Sequence, residues 1–291
     1  MKILRCWRGY TNKGGIGRRL EVLVKGVKVE LLLRLGCALG VFILMIAWES
    51  VSPRRRLRVS RTQRWPINIG LAALNMLAMR ISVGGIAYLT ASTARAHGLG
   101  LLNQFAAPTW LAITVTLLAL DFAIYGQHLL AHKWLWLWRL HQVHHTDIDM
   151  DATTAVRFHP LEILLSMAYK LVVIILIGAN PLAVIAFEII LNAAATFNHS
   201  NINLPTAVDK AIRYVLVTPD MHRIHHSTRP LETDSNYGFS LSCWDRLCKT
   251  YTDQPLMAQT DMEIGLAQFR HAETLSFSRL LWLPFQPLKP R

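Results

Sequence analysis

The chain has 291 residues, of which 52% are hydrophobic and only 17% are charged, and its formal net charge is +13. Soluble globular domains carry about 25% charged residues, so this composition disfavours a soluble protein and favours one that lies in a membrane. A strongly basic chain can also bind nucleic acid, but here the basic residues flank apolar segments and no nucleic-acid motif accompanies them, so we expect no nucleic-acid partner.

Long apolar runs predict an all-α, polytopic membrane protein, with a large soluble helical protein as the alternative. A helix needs about 20 apolar residues to cross a bilayer. The predicted spans cover residues 29–48, 67–91 and 108–130, and a helical hairpin at 161–198. Around them we expect three parts, namely a basic N-terminal leader at 1–28, a membrane domain at 29–251 and a C-terminal tail at 252–291.

Six arginines crowd the loop between the first two predicted spans. They are Arg54, Arg55, Arg56, Arg58, Arg61 and Arg64. Short arginine-rich loops lie on the cytoplasmic side of a membrane. Counting spans from this loop places both later polar segments, 131–160 and 199–291, on the same cytoplasmic face. The basic leader at 1–28 opposes this count if the first run crosses the membrane. Either the first run is re-entrant or interfacial, or the N-terminus is an exception to the rule.

Ten of the twelve histidines fall between residues 128 and 226. The pattern His-x-x-His-His occurs twice, as "HQVHH" from His141 and as "HRIHH" from His222, and "HLLAH" precedes both. Residues three and four apart share one face of a helix, so the three imidazoles of each triplet are expected to converge on one point. Neutral imidazole is a good ligand for iron, zinc and copper, and this spacing therefore predicts a metal site.

We predict that all ten of these histidines bind metal, with support of a ligand as the alternative role for His159. They are His128, His132, His141, His144, His145, His159, His199, His222, His225 and His226. One transition-metal ion takes about four to six ligands, so ten imidazoles indicate two ions. The remaining histidines, His97 and His271, are expected to be ordinary side chains.

The four cysteines are expected to be free thiols. Cys6, Cys37, Cys243 and Cys248 do not interleave with the histidine motifs, which argues against an iron–sulfur centre and a cysteine-type structural zinc site. On the proposed topology the last two face a reducing compartment. A metal-binding role for that pair is the minor alternative.

Two acidic residues within the predicted spans are expected to support the metal ligands. Asp121 shares a helical face with His128 and His132, and Glu188 shares one with His199. Ionisable residues inside a membrane usually face the protein interior. We therefore expect both carboxylates below the metal site, where they accept hydrogen bonds from ligand N–H groups or hold water on a proton path. Helix packing is the alternative role.

The histidine motifs, together with "RFHPLE", "FNHSN" and "TPDMHRIHH", resemble the histidine boxes of the fatty acid hydroxylase / sterol desaturase superfamily, and those of its bacterial sterol-desaturase-like branch in particular. The resemblance covers roughly residues 47–251. It implies a membrane di-iron enzyme that uses O2 and two electrons to hydroxylate or desaturate a lipid. Some members carry a further histidine four residues beyond the equivalent of His199, where this chain has Asn203. Direct, water-mediated and absent metal contact by Asn203 all stay open, and His159 is an alternative source of that imidazole.

The resemblance also implies partners. Because the chain has no fused haem or flavin signature, electrons must come from a separate reductase, ferredoxin or cytochrome, and basic residues near the motifs could attract an acidic carrier or lipid phosphates. Zinc is expected to replace iron on overproduction, because zinc binds such sites more tightly. The functional alternatives are a histidine-rich membrane zinc hydrolase and a metal-binding or transport protein.

Overall fold

The computed structural model describes residues 13–83, 86–270 and 276–288, with side chains at 32–79, 86–270 and 276–288. The predicted all-α class is confirmed, because the described residues form helices joined by loops, with isolated β-bridges in place of strands. In chain order the α-helices are α1 (Lys13–Val51), α2 (Arg61–Val83), α3 (Ile86–Ala96), α4 (Thr109–Lys133), α5 (Leu135–His145), α6 (Pro160–Ile177), α7 (Pro181–His199), α8 (Thr206–Arg213), α9 (Pro219–His225), α10 (Pro230–Thr233), α11 (Cys243–Leu247) and α12 (Phe277–Trp282).

Among the described residues, four helices are long and apolar enough to cross a membrane by length and composition. They are the Leu32–Val51 part of α1, α4, α6 and α7. The predicted span at 67–91 is divided instead between α2 and α3. Gly84 and Gly85, which separate these helices in sequence, lie outside the described residues, and glycine is a poor helix former.

The predicted hairpin at 161–198 is formed by α6 and α7. Gly178 ends α6 in a left-handed conformation with φ of 65°, and the Asn180 side chain caps α7 by accepting from the backbone N–H of Leu182. Gly100, just after α3, packs so closely on this turn that a Cβ there would lie 2.2 Å from the Gly178 nitrogen. The end of α3 and the hairpin turn therefore meet at the end of the bundle opposite the histidine motifs.

A folded cap of short helices and loops covers the other end of the helix bundle. It contains α5, the turn at 146–159 and most of the chain after α7. The arginine-rich loop, interpreted from sequence only as a topology signal, is built into this cap. Arg54 pairs with Asp220 at 2.8 Å, and buried Arg55 donates to the carbonyl of Met262 at 2.8 Å.

Arg64 forms the most buried ion pairs of this loop. It donates to Asp147 at 2.7 and 2.8 Å and to Asp151 at 2.6 Å, and all three side chains are fully buried. Burial alone would raise the pKa of Asp147, but the charge and hydrogen bonds of Arg64 bring it down to about 2. The pair is therefore ionised at neutral pH and fastens the start of α2 to the turn directly after His145.

The chain beyond residue 251 is part of the cap rather than a separate tail. Trp138 and Val143 of α5 share one apolar cluster with residues from this region, namely Leu266, Phe269, Leu280 and Leu283. At the other end, the predicted boundary at residue 28 falls inside α1, and residues 1–12 lie outside the described residues. Cys37, Cys243 and Cys248 are free thiols as expected, and Cys6 also lies outside the described residues.

We expect Arg64→Ala to lower the free energy of unfolding by about 3–5 kcal/mol, because it leaves two buried carboxylates without their cation. Arg58→Ala is the control, since it removes an exposed ion pair with Glu263 and an exposed hydrogen bond to the Asp261 carbonyl, and it should cost less than about 1 kcal/mol. Unfolding of the two variants in detergent measures the difference, and equal stabilities would contradict this role of Arg64.

Candidate metal centre

Nine of the ten predicted histidines gather in two adjacent groups where the cap meets the ends of α4 and α7. The first group is His128, His132, His141, His145 and His225, and the second is His144, His199, His222 and His226. Within each group, one ring nitrogen from every histidine lies within 4.8 Å of the others. All nine side chains are buried. Two clusters of four and five imidazoles match the coordination demand of two transition-metal ions.

Each His-x-x-His-His triplet divides between the two groups, so the expectation that its three imidazoles converge on one point is wrong. α5 turns His141 and His145 to the first group and His144 to the second. α9 and the residue after it turn His222 and His226 to the second group and His225 to the first. The i, i+4 pair always stays together, as do His128 and His132, because four residues bring an α-helix back to within about 40° of the starting direction, whereas the adjacent histidines of a triplet point about 100° apart. Each triplet thus bridges both groups.

The spacing of the imidazole nitrogens fits cations at the group centres. Nε2 of His128 lies 3.2 Å from Nε2 of His141, and Nε2 of His199 lies 3.1 Å from Nε2 of both His144 and His222. Two bonds of about 2.1 Å from one ion, at roughly 90–100° to each other, place their nitrogens about 3.0–3.2 Å apart. The observed distances therefore suit neighbouring ligands of one ion.

Five of the imidazoles are oriented by oxygen acceptors at Nδ1. The pairs are His128 with Tyr237 O (2.8 Å), His132 with Asp234 Oδ1 (3.3 Å), His141 with Glu162 Oε1 (2.6 Å), His199 with Ala195 O (2.7 Å) and His225 with Ser235 O (2.8 Å). An acceptor at Nδ1 keeps the ring proton there and leaves the Nε2 lone pair for a metal. None of these acceptors was predicted. Glu162 lay within the quoted "RFHPLE" motif, whereas the carbonyls carry no sequence signal.

The electrostatics of the site also favour bound cations. Burial, followed by the proximity of other imidazoles, lowers the pKa of His145 and His226 well below the ordinary histidine value. Both rings are therefore neutral at pH 7, as metal binding requires. Neither ring has a hydrogen-bond partner for its two nitrogens among the described residues. Buried polar atoms without partners are rare, and an ion in each group would give one nitrogen of each ring a partner.

His159 and Asn203 lie outside both groups. His159 caps α6, where its Nδ1 accepts from the backbone N–H of Leu161 at 3.2 Å, and its Nε2 lies 3.2 Å from the carbonyl of Leu281. Asn203 is exposed and accepts from Arg54 at 3.2 Å. His159 and Asn203 thus bond to other parts of the chain, and direct metal binding by His159 stays a prediction. His97 is exposed and outside the groups as expected, and His271 lies outside the described residues.

Asp121 and Glu188 are buried as expected, but their observed hydrogen bonds and ion pairs are with residues other than the ligand histidines. Asp121 accepts from the indole N–H of Trp244 at 2.8 Å and from the backbone N–H of Leu241 at 3.2 Å. It thus ties α4 to the chain around α11. Glu188 pairs with Lys170 of α6 and Arg34 of α1. Both carboxylates fasten elements together, which is the alternative role considered from the sequence.

The sequence of the chain is similar to a known protein family and to several characterised proteins. Residues 113–250 match the model of the fatty acid hydroxylase family. The chain is 32% identical over 161 residues to an ornithine lipid hydroxylase of Rhizobium tropici, covering 54% of this chain and 46% of that protein. It is 32% identical over 143 residues to an alkylglycerol monooxygenase of Xenopus tropicalis, covering 48% of this chain and 30% of that protein.

A more distant relative extends the range of lipids on which similar proteins act. The chain is 25% identical over 146 residues to a cholesterol 25-hydroxylase of Mus musculus, covering 50% of this chain and 48% of that protein. The matched region thus spans less than half the length of each of these three relatives. No solved structure gives a significant match to the chain.

We expect Glu162→Gln to weaken metal binding at the first group by about 10–100-fold, the usual cost of losing an outer partner of a ligand histidine. The neutral amide is a weaker acceptor for His141 than the carboxylate. Glu263→Gln, at an exposed carboxylate, is the matched control and should bind metal like the parent chain. Competition with a chelator measures both affinities, and an unchanged affinity for Glu162→Gln would exclude this role.

Proposed function

Because this chain belongs to the fatty acid hydroxylase / sterol desaturase superfamily, we propose that it is a membrane enzyme that uses O2 and two electrons to hydroxylate or desaturate a C–H bond of a lipid. The observation that carries the proposal is the pair of all-imidazole groups at one end of the apolar helices. Relatives whose names specify ornithine lipid, alkylglycerol and cholesterol as substrates support a lipid as the substrate class.

We further propose that the two groups hold two iron ions. The first group would supply five imidazoles and the second four. Neutral imidazoles suit iron, and bound iron supplies O2-dependent cleavage of an unactivated C–H bond, which acid–base side chains cannot perform. In this scheme the chain's own groups orient five of the ligands through Nδ1, and burial lowers the pKa of others, such as His145 and His226.

The position of the site supports a lipid that enters from the bilayer. His128 and His132 lie in the last turns of α4, and His199 is the last residue of α7, so the ligands begin where two apolar helices end. The reacting carbon of a lipid could reach this level with its apolar chain still among the helices. We propose that the cap faces the cytoplasm, because short arginine-rich loops such as 54–64 do so. A separate electron-donor protein would then dock from that side.

The alternatives from the sequence receive less support from the geometry. A metal transporter would spread its ligands through the membrane depth, whereas these nine imidazoles gather at one end of the apolar helices. A zinc hydrolase usually has three protein ligands and a carboxylate base beside the metal. Among the described residues, the carboxylates of Glu162 and Asp234 instead accept from the outer nitrogens of ligand histidines.

Lipid profiling of cells that do and do not produce the protein tests the proposed reaction. We expect a lipid that gains one oxygen or loses two hydrogens in producing cells, under aerobic growth only. His145→Ala should abolish the product, because it removes a buried imidazole from the first group. His97→Ala changes an exposed histidine outside both groups and should leave the product in place. An identical lipid profile with and without the protein would refute the proposal.

A further inference from the structure

A short main-chain segment at residues 234–239, which we call the ligand strap, contacts three of the five imidazoles in the first group. The Asp234 carboxylate, the Ser235 carbonyl and the Tyr237 carbonyl lie against Nδ1 of His132, His225 and His128, respectively. These three histidines come from two separate helices, α4 and α9. The position of one loop therefore sets the orientation of most of the first group.

Asp245, in α11, holds the centre of the strap. Its Oδ1 accepts from the backbone N–H of Tyr237 at 2.7 Å, and its Oδ2 accepts from that of Gly238 at 2.8 Å. Oδ1 also accepts from the hydroxyl of Thr250 at 2.7 Å. The carboxylate is fully buried. A Cβ at Gly238 would lie 2.7 Å from Oδ2, so only glycine permits this approach of strap and carboxylate.

The rest of the strap leaves little freedom for another arrangement. Asn236 has a left-handed φ of 53°, and its side chain donates to the carbonyls of Met221 in α9 and Thr252. Its backbone N–H donates to the carbonyl of Thr250 at 2.9 Å. Asn236 therefore ties the strap to α9, which carries His222 and His225, and Asp245 ties it to α11.

We propose that Asp245 is a positioning residue for the metal ion of the first group. It touches no ligand histidine and acts through the strap, whose oxygens set the rotation and the tautomer of His128, His132 and His225. The inference rests on the proposed function, since it assumes that the first group holds an ion. The second group is oriented differently: His199 lies against the carbonyl of Ala195 within its own helix, and the strap approaches this group with the Phe239 ring, whose centroid lies 6.5 Å from that of His199 and 6.2 Å from that of His222.

The variant Asp245→Asn separates this role from simple packing. Asparagine has nearly the same volume, but its amide replaces one acceptor oxygen with an N–H donor. That donor must face a strap N–H or the Thr250 hydroxyl, so the two-point anchor at Tyr237 and Gly238 is lost. We expect iron binding at the first group to weaken by about 10-fold or more, as for loss of an outer partner, and binding at the second group to stay unchanged.

Anaerobic titration of the metal-free full chain with ferrous iron, in competition with a chelator, tests this. The parent chain should bind two ions tightly, and Asp245→Asn should bind one tightly and one weakly. Asp261→Asn, at an exposed acid in the same region, is the control and should match the parent. Thermal unfolding of each metal-free variant reports whether the fold is kept.

If Asp245→Asn does not fold, Gly238→Ala takes its place, because the added methyl displaces the strap and leaves the carboxylate intact. It should show the same selective loss at one site. A parent chain that binds two ions, together with a folded variant that binds both as tightly or loses both equally, overturns the role of Asp245 alone. A parent chain that binds no iron overturns the proposed function and this inference with it.

Discussion

Nine imidazoles that are buried where the cap meets α4 and α7 must each turn a lone pair toward one of two points. This constraint explains why the ligands come from α4, α5, α7 and α9, and why several of them are held from behind by an oxygen. A buried imidazole cannot exchange a lost partner for water, so each ring depends on a fixed acceptor, on stacking or on a bound cation. His144 shows the second case, since its ring stacks on Phe158 with centroids 4.4 Å apart.

Buried arginines hold in place the segments that carry the imidazoles. Arg64 binds the turn after His145. Arg157 donates to the Val143 carbonyl and to the Thr146 hydroxyl, which lie on either side of His144 and His145 in the sequence. Arg223, between His222 and His225, pairs with Asp220, which also binds Arg54 from the loop before α2. Ion pairs therefore hold the outer layer of the cap together around the imidazole rings.

Many of the ligand histidines lie close to one another in the sequence, and these ligands could be predicted. The all-α fold class was predicted from the long apolar runs, and the ligands were predicted from histidines spaced i, i+4 on single helices. The division of each triplet between two groups could not be predicted, because it depends on the angles between helices. The strap oxygens could not be predicted either, because most of them are backbone carbonyls, which every residue type has. His159 has the side chain of a metal ligand, but it directly precedes Pro160 and caps α6. Asp121 was correctly expected to be buried, but its partners lie 120 and 123 residues away.

The central claim is that these nine imidazoles hold two metal ions, and the metal content of anaerobically purified protein tests it most directly. The account predicts about two iron ions per chain in the parent protein and a decrease of about one when an i, i+4 pair of a single group is replaced by alanine. One ion per chain or fewer in the correctly folded parent, after supply of ferrous iron without oxygen, would contradict it.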